Sequence, residues 1–161
     1  MKRSFIIIFA ILSSICTIGQ TFVNDFVDQN KNYVALKMYK GDTLRYVQHN
    51  FINNKQKYVG KDLNTLLKDI EIPIITYEPG TSMENTNYVP YIYLQFCTTD
   101  ESNRRMFSSN HPVNIIISWP KAFSKAIIDS LWVKTKGDWT IDARKFFGKY
   151  LIRDIETTEW K

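Results

Sequence analysis

The reactive side chains of this sequence are few and stand far apart along the chain. Cys97 could act as a thiol nucleophile with His49 or His111 as its base, because such a nucleophile needs a base within hydrogen-bond reach. Cys97 follows the apolar stretch Tyr93-Leu94-Gln95-Phe96, however, which predicts a small buried residue rather than a reactive thiol. His49 is flanked by polar residues and is expected to face solvent. The sequence therefore predicts no cysteine-based catalytic pair.

Metal-binding and acid–base motifs are also missing from the sequence. Neither histidine belongs to a His-x-x-x-His pattern, and no Cys-x-x-Cys pattern occurs, so no transition-metal site is expected. The acidic residues of the predicted loops lack EF-hand spacing, and many aspartates stand at predicted helix starts, where a carboxylate caps free amides. No Gly-x-Ser-x-Gly motif or phosphate-binding glycine loop is present. We predict no catalytic residue, no metal site and no cofactor.

Aromatic residues are the more informative group. They make up 14% of the chain, with nine tyrosines and four tryptophans, and Tyr, Trp and Arg are the residues that most often anchor protein interfaces. Three tyrosines of one predicted strand are followed by two arginines and a phenylalanine in the next predicted loop. The predicted binding residues are Tyr88, Tyr91, Tyr93, Arg104, Arg105 and Phe107. The alternative is that these tyrosines only cover a half-solvated sheet.

The N-terminal residues have the order of a secretory signal peptide. A short positive start precedes an apolar run over residues 5–12, and small residues follow. The run is shorter than the roughly 20 residues that a membrane-spanning helix needs. We predict that residues 1–19 are a signal peptide and that residues 20–161 are a single exported domain, periplasmic or extracellular, with no stable membrane insertion after cleavage. An uncleaved anchor and a lipoprotein cut before Cys16 are alternatives, although Ile15 is larger than the residue such a cut favours.

Composition narrows the classes of partner. The leader holds two basic residues and no acidic one, so its removal lowers the formal charge by two, from +5 to +3. A charge of this size without a dense Lys/Arg stripe does not indicate a nucleic acid partner. Cys97 is then the one remaining cysteine, so no intramolecular disulfide is expected. About 142 residues are enough for one domain with a core and too few for two.

Hydrophobic periodicity and turn residues predict helices and strands in a definite order. Thr98 to Asn110 is predicted to be a polar loop, and Glu78-Pro79-Gly80 a turn. The predicted elements are helices within residues 22–39 and over 43–53 and 62–70, strands over 72–77, 91–96 and 113–119, a helix running into a strand within 121–137, a helix over 140–147 and a last strand over 150–155. This order predicts an α+β fold, with an antiparallel sheet of about four or five strands and helices packed on one face.

One part of the sequence resembles small exported single-domain proteins of unknown function from Gram-negative bacteria. The residues that carry the resemblance are Phe51-Ile52-Asn53-Asn54-Lys55, Tyr58-Val59-Gly60-Lys61-Asp62-Leu63, Leu66-Leu67, Asp69 and Ile72-Pro73. They cover about a quarter of the chain. The resemblance implies an envelope or secreted location and a one-domain α+β fold, and it implies no activity.

The sequence therefore predicts an exported, non-catalytic domain that binds another protein, with an enzyme inhibitor or a toxin-immunity protein as concrete versions. Two other hypotheses stay open. A small envelope hydrolase, whose acidic and histidine residues meet only in three dimensions, predicts a deep polar pocket with a perturbed carboxylate, His49 or His111 at its floor. A small-ligand carrier predicts an apolar cavity under the sheet.

Overall fold

One antiparallel sheet of four strands organises the described part of the chain. The computed structural model describes residues 33–82, 84–108 and 110–158; the predicted signal peptide and most of the predicted helical stretch 22–39 lie outside these residues. The strands are β1 Thr76–Gly80, β2 Tyr88–Gln95, β3 Asn114–Ser124 and β4 Asp154–Glu156. Each pairs with the next, so sheet order equals chain order. The predicted α+β fold with an antiparallel sheet is confirmed.

Five α-helices accompany the sheet in the described part of the chain, and four of them begin at a side-chain cap, the first at Asp42, which accepts from Arg45 N at 2.9 Å. They are α1 Thr43–Val47, which continues as a π-helical turn at Gln48–Ile52, α2 Leu63–Leu67, α3 Thr99–Met106, α4 Lys125–Thr135 and α5 Ile141–Phe147. Single 3-10 turns lie at Leu36–Tyr39 and Lys55–Lys57. Asp62, Thr98 and Thr140 accept backbone N–H bonds at the starts of α2, α3 and α5, because the first amides of a helix have no partner within it.

The core lies on one face of the sheet. Tyr77, Leu94 and Ile115 share one row of paired positions, and Ile92, Ile117 and Ile155 share another. All six side chains are fully buried. Alternate residues of a strand point to opposite faces, so these rows define a single apolar face. We call this the inner face and the opposite one the outer face.

Much of the aromatic content belongs to this core rather than to a surface. Tyr46, Tyr58, Tyr77, Phe51 and Phe147 are completely buried. Buried Tyr hydroxyls need hydrogen-bond partners, and here Tyr58 donates to Asp69 Oδ2 at 2.8 Å. The high aromatic fraction of the sequence is therefore explained mainly by packing.

Two prolines lie inside strands that were predicted to end before them. The first strand also begins at Thr76 rather than at residue 72, and the second begins at Tyr88 rather than at residue 91. Pro79 was predicted to lie in a turn, but β1 runs through it at the sheet edge, where a missing amide hydrogen breaks no ladder bond. Pro120 was predicted to close the third strand, but β3 continues to Ser124. Its pairing with β2 is interrupted by a bulge near Val89 and Tyr91, and a bulge tolerates a proline.

The predictions for residues 121–137 and 150–155 were correct in part. A helix occurs, but it begins at Lys125, fills the segment to Thr135 and is not followed by a strand. The last strand is shorter than predicted and starts at Asp154. Leu151 instead makes an isolated bridge with Asp62, which ties the start of α2 to the end of the chain.

Candidate binding site on the outer sheet face

The outer face is polar, aromatic and acidic. The strand register identifies the residues of the outer face, because they alternate along each strand with the buried residues of the inner face. The rows are Thr76, Gln95 and Asn114; Glu78, Tyr93, Ile116 and Glu156; and Gly80, Tyr91, Ser118 and Asp154. Tyr91 and Tyr93 thus point away from the core, as the alternation of the sequence predicts.

Tyr91 and Tyr93 form an aromatic pair near the middle of this face. Their ring centroids are 5.6 Å apart with an interplanar angle of 83°, an edge-to-face arrangement that aromatic rings favour. Both side chains are half-buried. The Tyr91 ring covers Gly80 on the neighbouring strand so closely that a Cβ at Gly80 would overlap it. The bare backbone of Gly80 therefore provides the space in which Tyr91 lies.

Burial of the pair changes the acidity of Tyr93. Desolvation, followed by hydrogen bonding to Tyr91 and the nearby charge of Glu78, raises the pKa of Tyr93 from 10.0 to about 12. The folded state thus favours the neutral phenol. Its contribution to stability is present below pH 10 and is lost as the pH rises from 10 through about 12.

We expect the Tyr93 hydroxyl to titrate near pH 12 in the folded protein. NMR of tyrosine labelled at the hydroxyl-bearing ring carbon would measure this midpoint, and the spectrum of Tyr93→Phe would assign the resonance. A Tyr93 midpoint at the ordinary value of about 10 would contradict the burial of the pair.

α3 borders the outer face where β2 ends. The sequence predicted a polar loop here, which was wrong, because the helix turns a polar stripe toward the sheet and shows no apolar periodicity. The stripe consists of Thr99, Ser102, Asn103 and Met106, spaced as on one side of a helix. One signal could have revealed the helix: Thr98 and Glu101 have the spacing of a capping box, and Thr98 Oγ1 accepts from Glu101 N at 3.3 Å.

The two predicted arginines belong to α3 and are paired within it. Arg105 Nε lies 2.6 Å from Glu101 Oε1, and Arg104 contacts the other oxygen of the same carboxylate. These partners, Arg105 first, lower the pKa of Glu101 despite its partial desolvation. Because exposed pairs of this kind contribute little to stability, their main effect is to offset the positive charge that the sequence assigned to the binding surface.

The six predicted binding residues do not form one patch. Tyr91 and Tyr93 are in contact, and Arg104 and Arg105 meet at Glu101, while the two remaining aromatics stand apart. Phe107 follows α3 and is 93% exposed. Tyr88 is the first residue of β2, and α3 follows the other end of this strand. At a rise of about 3.3 Å per residue, the two ends of β2 are about 23 Å apart. The tyrosine pair is the part of the predicted site that the fold places on the outer face beside α3.

A groove of about 420 Å³ lies between α3 and the outer face. Its sheet wall includes Glu78, Tyr93, Gln95 and Asn114, and its helix wall is the polar stripe of α3. The volume falls in the range of about 300–1,000 Å³ typical of ligand sites. Sequence reasoning missed this groove because α3 was not predicted.

Hydrogen bonds fix the floor of the groove. Gln95 Oε1 accepts from Thr76 Oγ1 at 2.9 Å, and Gln95 Nε2 donates to Glu78 Oε2 at 3.2 Å. Asn114 Nδ2 donates to Thr158 Oγ1 at 2.9 Å, and Asn114 Oδ1 accepts from Thr158 N at 3.2 Å. Both amides are more than nine-tenths buried. The floor is therefore ordered before any ligand arrives, which lowers the entropic cost of binding.

The charge of the outer face is opposite in sign to that of the whole chain. Its paired positions include Glu78, Asp154 and Glu156 but no lysine or arginine, although the chain carries a formal charge of +5. Lys55 lies 2.7 Å from Asp154 and offsets that carboxylate. Among the described residues, Glu78 and Glu156 have no cation within ion-pair distance.

The residues considered for catalysis lie elsewhere. Cys97 follows β2 and is half-buried, and burial is the largest cause of the raised pKa of its thiol. His49 is half-buried rather than solvent-facing, since its Nδ1 lies 2.6 Å from the Tyr39 hydroxyl. It lines a separate cavity of about 350 Å³ with Arg45 and other polar residues. Within residues 33–82, 84–108 and 110–158, no three His, Cys, Asp or Glu side chains are grouped to hold a metal.

Two further findings concern the chain as a whole. Among the helices of the described residues, none is both long and apolar enough to cross a membrane. Comparisons with protein-family models, with curated proteins and with solved structures gave no match. The function must therefore be argued from the site itself.

Proposed function

We propose that this protein is an exported, non-catalytic domain that binds another protein through its outer sheet face, as an enzyme inhibitor or a toxin-immunity protein would. The export part of the proposal rests on the signal-peptide order of residues 1–19. The binding part rests on the geometry of the outer face. Its partner is a protein, and neither a cofactor nor a nucleic acid enters the proposal.

The observation that carries the proposal is the ordered Tyr91–Tyr93 pair beside the groove. Tyrosine offers a large contact area with few rotatable bonds, so little entropy is lost when a partner covers it. The close fit of Tyr91 over Gly80 holds that ring in place before binding. An aromatic anchor next to a depression is the arrangement found at the energetic centres of protein interfaces.

The alternatives receive less support from the same geometry. A carrier needs an apolar cavity under the sheet, whereas the groove lies on the outer face and has walls of mixed polar and apolar side chains. A smaller cavity, near Ile72 and Trp139, measures about 240 Å³, which is below the range of about 300–1,000 Å³ typical of ligand sites. A hydrolase needs a nucleophile or a carboxylate near its base, but the described residues that line the His49 cavity include no Asp, Glu, Ser or Cys.

Replacing Tyr91 and Tyr93 together with alanine should abolish partner capture. The tagged full chain would be expressed in its native host and purified from envelope and culture-medium fractions, and proteins retained in stoichiometric amount would be identified by mass spectrometry. Affinity for such a partner should fall at least about 30-fold in the double variant, the loss expected when interface anchors are truncated.

Val133→Ala is the matched control for this experiment. Val133 is 76% exposed on α4, and α4 packs Trp132 against Tyr77 of the inner face, so truncation of Val133 should leave capture unchanged. Thermal unfolding of all variants separates lost contacts from lost folding. Capture that survives the loss of both tyrosines would refute the proposal.

A further inference from the structure

We infer that the groove between α3 and the outer face receives a lysine or arginine side chain of the partner protein. This inference rests on the proposed function and names the chemistry of the partner at one point of its interface. It concerns a single basic side chain, with its charged head near Glu78 and its aliphatic stem along the groove.

The groove carries one uncompensated negative charge. Glu78 is the one formally charged side chain among the described residues that line the groove, and no cation of the described chain lies within ion-pair distance of it. Arg104 and Arg105 are directed to Glu101 within α3 and leave this charge uncompensated. A cation brought by a partner is therefore the complementary group.

The hydrogen-bonding groups of the groove also favour a basic side chain. Lysine and arginine heads are donors only, so they need acceptors. Glu78 has two carboxylate oxygens, one of which accepts from Gln95, and Thr99 and Ser102 line the same groove. The second carboxylate oxygen is the acceptor that suits a basic head. An anionic group would instead meet Glu78 with like charge.

Two side chains of the groove walls suit the aliphatic stem of a lysine or arginine. Tyr93 and Met106 stand on opposite walls and present an aromatic ring and a thioether chain. Such surfaces pack well against the methylene stem of a long basic side chain, and a cation near a tyrosine ring gains a further attraction.

The sheet edge at β1 does not compete with the face as a docking point. Tyr77 N already donates to Gly137 O at 2.8 Å along this edge. Amides two residues apart point the same way along a strand, and the next such position is Pro79, which has no amide hydrogen. A partner strand adding to β1 would find no pair of donors, so approach onto the face is favoured.

The test uses N-acetyl-arginine N-methylamide as the probe and NMR titration of the full chain as the measurement. We expect amide shifts at Glu78, Tyr93, Ser102 and Asn103, with a dissociation constant on the order of 1–10 mM for so small a ligand. N-acetyl-citrulline N-methylamide has nearly the same shape without the charge. It should bind at least about fivefold more weakly if the cation is what the groove recognises.

Glu78→Gln should weaken binding of the arginine probe about tenfold, since it removes the charge but keeps the size of an exposed side chain. Asp129→Asn is the matched control, because this exposed carboxylate lies on α4 and is paired with Lys125. Equal binding of the citrulline probe, indifference to Glu78→Gln, or no groove shifts up to about 50 mM probe would each overturn the inference.

Failure of the inference is distinguishable from failure of the proposed function. Partner capture that depends on Tyr91 and Tyr93 but not on Glu78 would leave the proposed function intact and remove the basic side chain from it. Arginine binding in the groove without any tyrosine-dependent partner would refute the proposed function, although the groove would still recognise a basic group.

Discussion

Replacing Phe147 with alanine should lower the free energy of unfolding by about 3–5 kcal/mol, the usual cost of removing a buried phenylalanine ring. Phe147 is completely buried in α5 and lies at the centre of the aromatic core. Its ring is within 6.1 Å, centroid to centroid, of five others: Tyr77, Trp119, Phe123, Trp139 and Phe146. These rings come from β1, β3, α5 and the α4–α5 connection, so a cavity here would loosen the contact between helices and sheet.

Urea unfolding followed by tryptophan fluorescence would measure this loss. Phe107→Ala removes the same ring from a position that is 93% exposed, and its effect should stay within about 0.5 kcal/mol. Because natural domains are stable by only about 5–15 kcal/mol, the Phe147 variant should lose a large fraction of its stability. Similar losses for the two variants would mean that the aromatic core is not assembled as described.

Much of the fold could be predicted because local signals and the global fold agree. α5 was located from a capping residue, Asp138 or Thr140, and the apolar positions that follow, and Thr140 is the cap; α2 was located from Asp62 and its leucines. The strand alternation of Ile92 and Leu94 gave the correct inward face of β2. Each of these elements carries its own burial pattern, so no tertiary information was needed to recognise it.

The elements that were mispredicted take their structure from tertiary contacts. α3 shows no apolar stripe because the surface it borders is itself polar, with Gln95 and Asn114 beneath it. β1 continues through Pro79 because this residue lies at a sheet edge. A periodic sequence pattern reveals a helix or strand only when that element buries apolar side chains. Burial of apolar side chains determines neither α3 nor the continuation of β1 through Pro79.

The candidate site could be predicted only in part for the same reason. The outward direction of Tyr91 and Tyr93 follows from alternation along one strand. The sign of the surrounding charge does not, because Glu78 and Glu156 come from strands that lie three places apart in the sheet and 78 positions apart in the chain. Arg104 and Arg105 were assigned to the surface from sequence proximity, whereas a single turn of α3 directs both to Glu101.

Gly80→Ala should weaken partner binding about as much as Tyr91→Ala alone does, by about tenfold, although Gly80 itself need not touch the partner. The added Cβ would overlap the ring, so Tyr91 must leave its place. The backbone at Gly80 is ordinary strand and not left-handed. Alanine is therefore tolerated there conformationally, and displacement of the ring is the expected cause of the effect. Gly80 is a positioning residue of the site.

A second readout of Gly80→Ala needs no partner at all. Tyr91 both shields Tyr93 from water and hydrogen-bonds to it, and these effects help to raise the pKa of Tyr93 to about 12. Displacing Tyr91 should move that pKa back toward 10, whereas a general loss of stability would not shift one tyrosine selectively. In the Tyr91→Ala background, Gly80→Ala should have almost no further effect on either the pKa or binding, because the two substitutions act through the same ring. Additive effects in this double-mutant cycle would show that Gly80 and Tyr91 act independently, and the ordered tyrosine pair would then no longer account for binding.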